Sequence, residues 1–126
     1  MEYSVGDFVK ISLEDKEQVV TVRGYEPTYE EYSLSNEYIY ETRGCVHVSE
    51  DKITPIPLTH EILDKNGWEH QDDVYFKEYP HRKLVVIDEK AYIINESCSL
   101  FLCKVEFVHQ LQHLLFGLCI NYEMEL

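Results

Sequence analysis

An α+β fold is predicted for this chain, and three patterns carry the prediction. Short β-branched segments with strict alternation fill the first 54 residues, a proline pair then breaks them, and a single helical apolar stripe closes the chain near residues 107–118. Phe8–Leu13 places Val9, Ile11 and Leu13 on one side and Lys10 and Ser12 on the other, directly after the turn signal Gly6-Asp7, as a half-buried strand requires. Val19–Tyr25 is β-branched and follows the charged stretch Glu14–Gln18, so the two segments form a hairpin. Glu37–Glu41 and Cys45–Val48 read as a second hairpin turning at Thr42-Arg43-Gly44. Four or five such strands after a Val5-Gly6-Asp7-Phe8-Val9 start imply a small SH3-like or Tudor-like β-barrel, or a β-meander, over residues 1–54.

Pro55-Ile56-Pro57 marks the boundary, because neither proline can donate to a ladder and each pushes its predecessor to extended backbone. The second region, 55–126, is expected to pack with the first as one compact unit. Thr59 can cap a short helix over His60–Lys65, with Glu61 in its first turn and Asn66-Gly67 as a left-handed stop. Antiparallel strands follow at Val74–Tyr79, Lys83–Asp88 and Ala91–Asn95. Leu84-Val85-Val86-Ile87 is apolar on both sides, which predicts a central strand covered on both faces. Ser99–Glu106 reads as another strand with Phe101, Cys103, Val105 and Phe107 inward, or as a loop. Val108, Leu111, Leu114, Leu115 and Leu118 then form the apolar stripe of an amphipathic C-terminal helix, and Asn121–Leu126 is an edge strand or a trailing tail.

The 126 residues carry 24 Asp+Glu against 11 Lys+Arg, a formal charge of −13. Such a balance excludes direct binding to nucleic acid or an anionic membrane, since both are held by Lys and Arg. No apolar run approaches the roughly 18 residues that span a bilayer, and no basic n-region precedes an apolar stretch, so a cytoplasmic protein is expected. In that reducing setting Cys45, Cys98, Cys103 and Cys119 read as free thiols, and their spacing does not suit zinc.

Two constellations invite a chemical reading. His109-Gln110-Leu111-Gln112-His113 sets imidazoles at i and i+4, as in the H-E-x-x-H metalloprotease motif. Gln110, however, stands where that motif has its general base, and an amide takes no proton from bound water at neutral pH. His109 and His113 are therefore weak metal candidates and more plainly flank the leucine stripe. Cys45 and His47 would share a strand face, but they lack the third orienting group that thiol catalysis uses. No cofactor and no catalytic residue is predicted.

The most informative segment runs from Tyr25 to Glu41, with five tyrosines, five glutamates and neither Lys nor Arg. Tyrosine brings large contact area at small entropic cost, and acids favour a basic partner. The binding residues expected on this basis are Tyr25, Tyr29, Glu30, Glu31, Tyr32, Glu37, Tyr38 and Tyr40. A solvated acidic loop with tyrosines packed beneath it is the plainer alternative. The acids divide evenly, twelve before residue 55 and twelve after, so carboxylates spread over the fold could also imitate the phosphates of a duplex.

The segments Pro55-Ile56-Pro57-Leu58-Thr59-His60-Glu61-Ile62-Leu63-Asp64-Lys65-Asn66-Gly67-Trp68 and Phe107-Val108-His109-Gln110-Leu111-Gln112-His113-Leu114 resemble a family of small uncharacterised proteins encoded by phages, prophages and mobile elements of gut anaerobic bacteria. Together they cover about 22 residues. The resemblance implies no activity and no site residues, but it does imply a setting in which accessory proteins act on host or rival proteins. The expected function is thus a binding module that engages a basic host protein surface. The alternative is an inhibitor of a nucleic-acid-processing defence system, of anti-restriction or anti-CRISPR type, acting by charge mimicry. A metal-binding or thiol enzyme is the third reading.

Overall fold

The computed structural model describes residues 2–126 and shows an α+β chain of two compact units, 1–56 and 57–126, each built on an open five-stranded antiparallel sheet. In the first unit β1 (Phe8–Leu13), β2 (Lys16–Glu26), β3 (Glu31–Ser35), α1 (Glu37–Arg43), β4 (Val46–Ser49), a 3-10 turn (Glu50–Lys52) and β5 (Thr54–Pro55) follow one another. The sheet order is β4-β3-β2-β1-β5. The barrel expectation is corrected here: β4 and β5 are the two edges and the sheet does not close on itself.

Alternation decides which side is buried. Val9 and Ile11 on β1, Val20 and Val22 on β2, and Tyr32 and Leu34 on β3 form the core with Tyr3, Ile39 and Ile53, and Leu13, Val46 and Val48 pack against it. The β1–β2 hairpin turns on Glu14 and Asp15, both left-handed (φ 54° and 62°), the type I′ geometry whose twist matches that of the flanking strands. A register shift between Val22 and Gly24 interrupts the long β2 strand, a bulge of the kind that bends a strand.

Residues 37–43 are helical, against the strand expected at Glu37–Glu41 and the turn expected at Thr42-Arg43-Gly44. The reason is local. Asn36 adopts an extended backbone and its side-chain oxygen accepts the Ile39 N–H at 2.8 Å, while Glu37 sits favourably in the first turn. Gly44, at φ 79°, returns its N–H to the Tyr40 carbonyl and stops the helix. Alternation through Tyr38-Ile39-Tyr40 imitates a strand, but it arises because Ile39 alone of the helix is buried.

The second unit begins with α2 (His60–Lys65) and continues through β6 (Glu69–Gln71), β7 (Val74–Tyr79), β8 (Arg82–Ile87), β9 (Lys90–Ile94), β10 (Ser99–Lys104) and α3 (Val108–Gly117), the strands pairing in sequential order. Thr59 caps α2 as expected, its hydroxyl accepting the Ile62 N–H at 3.3 Å. Gly67 (φ 82°) and Trp68 return their N–H groups to Asp64 and Leu63, a Schellman stop that leaves both Leu63 and Trp68 buried. β6 has no counterpart among the strands expected from the sequence, because it is short, polar and exposed along its length.

Both helices lie on one face of this sheet. Lys77 donates to the Asn66 carbonyl at the end of α2, and Arg82 donates to the Leu118 carbonyl after α3. Lys77 and Arg82 share a strand face with Tyr75, Leu84, Val86 and Ala91, all buried. On the opposite face Val85 is buried, whereas Ile87, Ile94 and Phe101 are exposed, so the central strand is not covered evenly on both sides. Phe101 does not point inward with Cys103 and Val105. A register shift between Phe101 and Cys103 reverses the parity of the strand at that point.

α3 buries Val108, Leu111 and Leu115 together with His109 and Gln112, so its buried face is wider than the leucine stripe. Leu114 and Leu118 are half-buried. The helix ends in a second Schellman arrangement in which Cys119 takes the left-handed position (φ 59°) that glycine usually fills. The tail 121–126 carries no regular structure. It is held by Asn66, whose side chain both donates to the Glu125 carbonyl and accepts from the Glu125 N–H, each at 2.7 Å. No helix among the described residues is long and apolar enough to cross a membrane.

Candidate functional site

The eight residues expected to bind do not form one face. β3 runs from Glu31 to Ser35 between two groups of them, and five strand residues span about 17 Å. At one end of β3 lie Tyr25, Tyr29, Glu30 and Glu31 around the β2–β3 loop; at the other, α1 carries Glu37, Tyr38 and Tyr40.

Tyr32 is not a contact residue. Its side chain is fully buried, and the rings of Tyr3 and Tyr25 meet it edge-on at centroid distances of 5.6 and 4.9 Å. The Tyr32 hydroxyl accepts the Tyr3 N–H at 3.2 Å and donates to Glu50 Oε1 at 3.0 Å. The same Glu50 oxygen accepts the Glu2 N–H at 3.0 Å. Each group responds to these surroundings. Burial first, then the carboxylates of Glu2 and Glu50, push the Tyr3 phenol up to about 12, and burial also raises that of Tyr32. The Glu2 amide and the Tyr32 hydroxyl hold the Glu50 carboxyl below its ordinary range. This tyrosine cluster clamps the first residues to β3; it is architecture.

At the loop end Tyr29 is 74% exposed and Glu30 takes a left-handed backbone (φ 52°). The Glu26 carboxylate accepts the Thr28 N–H at 2.9 Å, and that hydrogen bond holds its carboxyl below the usual range. At the helix end Tyr38 and Tyr40 are 51% and 73% exposed, and Glu37 and Glu41 bracket them. What fixes this surface is Asn36. Besides capping the helix, its amide donates to Gln18 Oε1 and to the Val19 carbonyl, both at 3.0 Å. From the last turn, Arg43 reaches Glu14 Oε1 at 2.7 Å, joining the helix to the β1–β2 turn. Two exposed tyrosines are therefore presented on a helix tied down at both ends, with Ile39 as its buried peg.

The other constellations are also resolved in detail. The His109 and His113 rings lie edge-on, 5.6 Å apart, with His109 buried. Among the described residues no group of three or more His, Cys, Asp and Glu side chains is placed to hold a metal ion. Gln110 has a structural role: its side-chain oxygen accepts the N–H groups of Glu106 and Phe107, at 2.8 and 3.0 Å, at the helix start. Cys45 Sγ, just before β4, and His47 Nε2 on that strand approach to 3.8 Å. The exposed Cys98 thiol contacts Asn95 Oδ1 at 3.6 Å, and burial raises the Cys103 thiol. No family model, no curated protein and no solved structure matches the chain.

Proposed function

We propose that the first unit is a protein-binding module whose contact surface is the outer side of α1, and that its partner is a basic protein surface in the cytoplasm of a bacterial host cell. The observation that carries this reading is the pairing of Tyr38 and Tyr40, both well exposed, with Glu37 and Glu41 on a helix fastened by Asn36 and Arg43. Exposed tyrosines on a rigid element bring contact area without an ordering cost, and acids beside them draw a cationic partner. An accessory role encoded by a phage or mobile element suits such a surface. The sheet order, with a 3-10 turn before a short last strand that returns to β1, supports reading the unit as an opened relative of the SH3-like layout.

The test is a pull-down from nuclease-treated bacterial lysate at low and high salt, with two variants beside the parent. Tyr38→Gln,Tyr40→Gln keeps good helix formers in α1 and removes the aromatic contacts; Tyr29→Gln alters the opposite end of β3. A stoichiometric basic protein, weakened by salt, lost in the first variant and retained in the second, is the expected result. Capture that survives Tyr38→Gln,Tyr40→Gln, or that follows Tyr29 instead, overturns the assignment to α1.

A further inference from the structure

The two open sheets leave four strand edges, β4 and β5 in the first unit and β6 and β10 in the second. Three of them are built in ways that discourage another strand from pairing. β5 is two residues long and contains Pro55, β6 is the polar run Glu69-His70-Gln71, and β4 is four residues long and runs into the acidic turn Glu50-Asp51. β10 differs: Ser99–Lys104 reads Ser-Leu-Phe-Leu-Cys-Lys, with no proline and no charge before its last residue. Leu100 is 57% exposed and Phe101 is 50% exposed. The two are consecutive, so they stand on opposite faces of the sheet. A partner laid on either face would cover one of them, whereas a strand added at the edge covers both.

Main-chain direction and charge point to the identity of that strand. The Asn95 N–H donates to the Cys98 carbonyl at 3.0 Å, so Cys98 and, by alternation, Leu100 direct their main-chain groups at β9. Ser99 and Phe101 therefore direct theirs at the open edge. An antiparallel neighbour must oppose outward residues with outward residues, so a two-fold pairing of β10 with itself centres on Ser99, Leu100 or Phe101. Charge chooses among the three. Centred on Phe101, Glu96 stands opposite Glu106; centred on Ser99, it stands opposite Leu102; centred on Leu100, it stands opposite Lys104, twice over by symmetry. The bulge between Phe101 and Cys103 displaces Lys104 by about one residue, a distance its side chain spans. Neither Glu96 nor Lys104 forms an ion pair with another described residue. Lys104 instead faces Lys90 across the ladder, a like-charged pair that an acid arriving on the open side relieves.

We propose that β10 is a self-association edge: two copies of the chain pair their β10 strands antiparallel about a two-fold axis at Leu100, joining the two five-stranded sheets edge to edge. Ser99 of each copy exchanges main-chain hydrogen bonds with Phe101 of the other. The two Leu100 side chains meet across the axis on one face, each Phe101 packs beside Ser99 of the other copy on the opposite face, and two Lys104–Glu96 pairs close the ends. A contact of one strand per copy is small beside those of permanent dimers, so the association depends on concentration. The −13 charge of each copy opposes it at low ionic strength, whereas a screening length of about 8 Å at physiological salt leaves the local pairs in play. The edge belongs to a different unit from the α1 surface, so the failure of either assignment leaves the other standing.

The test is sedimentation velocity of the full chain over a wide concentration range at physiological ionic strength, with three variants at exposed positions beside the parent. The parent is expected to pass from the mass of one chain to that of two. Leu100→Lys sets two lysines face to face at the axis and is expected to weaken the dimer about tenfold or more. Glu96→Lys opposes Lys104 at both ends and is expected to weaken it about tenfold; Glu96→Lys,Lys104→Glu restores both pairs with reversed sign and is expected to recover most of that loss. An amide NMR spectrum of each variant reports that the fold is kept. A single-chain mass at every concentration, a dimer left intact by Leu100→Lys, full affinity in Glu96→Lys, or a Glu96→Lys,Lys104→Glu dimer no tighter than that of Glu96→Lys overturns the proposal.

Discussion

Asn36→Ala tests the link between fold and proposed surface most directly. The Asn36 side chain makes three hydrogen bonds: Oδ1 accepts from the Ile39 N–H at 2.8 Å, and Nδ2 donates to Gln18 Oε1 and to the Val19 carbonyl at 3.0 Å. Loss of a helix N-cap costs about 1 kcal/mol, and each partly exposed hydrogen bond contributes about 0.5–1 kcal/mol, so the substitution is expected to destabilise the first unit by about 2–3 kcal/mol. The seven residues of α1 are too few to hold a helix by propensity alone. Helix and surface should therefore fail together. Native-state amide exchange separates the two levels: Ile39, Tyr40 and Gly44 report α1, and Val9, Val20 and Leu34 report the sheet. Asn36→Asp keeps the cap acceptor and loses the amide donors, so it should recover about 1 kcal/mol of the loss and most of the α1 protection. A loss under about 0.5 kcal/mol in Asn36→Ala, with α1 amides as protected as in the parent, refutes the argument that this one side chain holds the helix.

Tyr32→Phe removes the hydroxyl shared by the Tyr3 amide and Glu50, and should cost about 1–2 kcal/mol in urea unfolding of the first unit. The acid limb follows from the sign of the Glu50 shift: its folded value is lowered, so its contribution is complete above the unfolded value and is lost as pH falls through the folded one. Tyr32→Phe should flatten that limb in an unfolding titration carried down through the carboxylate range. The alkaline limb has the opposite sign, because the Tyr3 and Tyr32 phenols are raised, Tyr3 to about 12; stability should fall as pH rises from 10 toward that value. Asp15→Gly and Cys119→Gly each place glycine at a left-handed position (φ 62° and 59°) and should stabilise by about 0.5–1 kcal/mol, read as a rise in Tm. Leu111→Ala, at a fully buried position of α3, should cost about 2–5 kcal/mol by fluorescence of Trp68, the one tryptophan of the chain.

The strands legible in the sequence were those whose alternation and turn chemistry agree. Val9 and Ile11 on β1, and Val20 and Val22 on β2, are buried as the period of two demands. α2 was readable because Thr59 and Gly67 bracket it with a cap and a left-handed stop. The same grammar surrounds α1, where Asn36, Glu37 and Gly44 stand in the corresponding roles, but the alternating tyrosines outweighed it. Propensity and period can mislead over seven residues, whereas a capping residue and a glycine stop act through specific backbone groups. At β10 the failure was of another kind: one extra residue between Phe101 and Cys103 turns Phe101 outward, and no composition signal announces a bulge.

The sites divide along the same line. Of the tyrosines in the acidic run, Tyr38 and Tyr40 are exposed, whereas Tyr32 is core. What separates them is strand parity: Tyr32 alternates with Leu34 on the buried side of β3, and Tyr38 and Tyr40 leave that strand altogether once Asn36 starts a helix. The cap that starts the helix therefore sorts the tyrosines as well. The second unit also holds a cavity, lined by Leu63, Tyr75 and Val86, that had no such signal. Its carboxylates come from Asp73 and from Asp88-Glu89, two turns fifteen residues apart that the β7–β8 hairpin brings to one end of a sheet. Turn residues are chosen for backbone reasons, and acids at left-handed turns look like turn chemistry and nothing more. Only the register of β7 with β8, which sets Val74 against Ile87, makes neighbours of those two turns. Where register makes neighbours of two turns, their juxtaposition is legible only after the sheet is known.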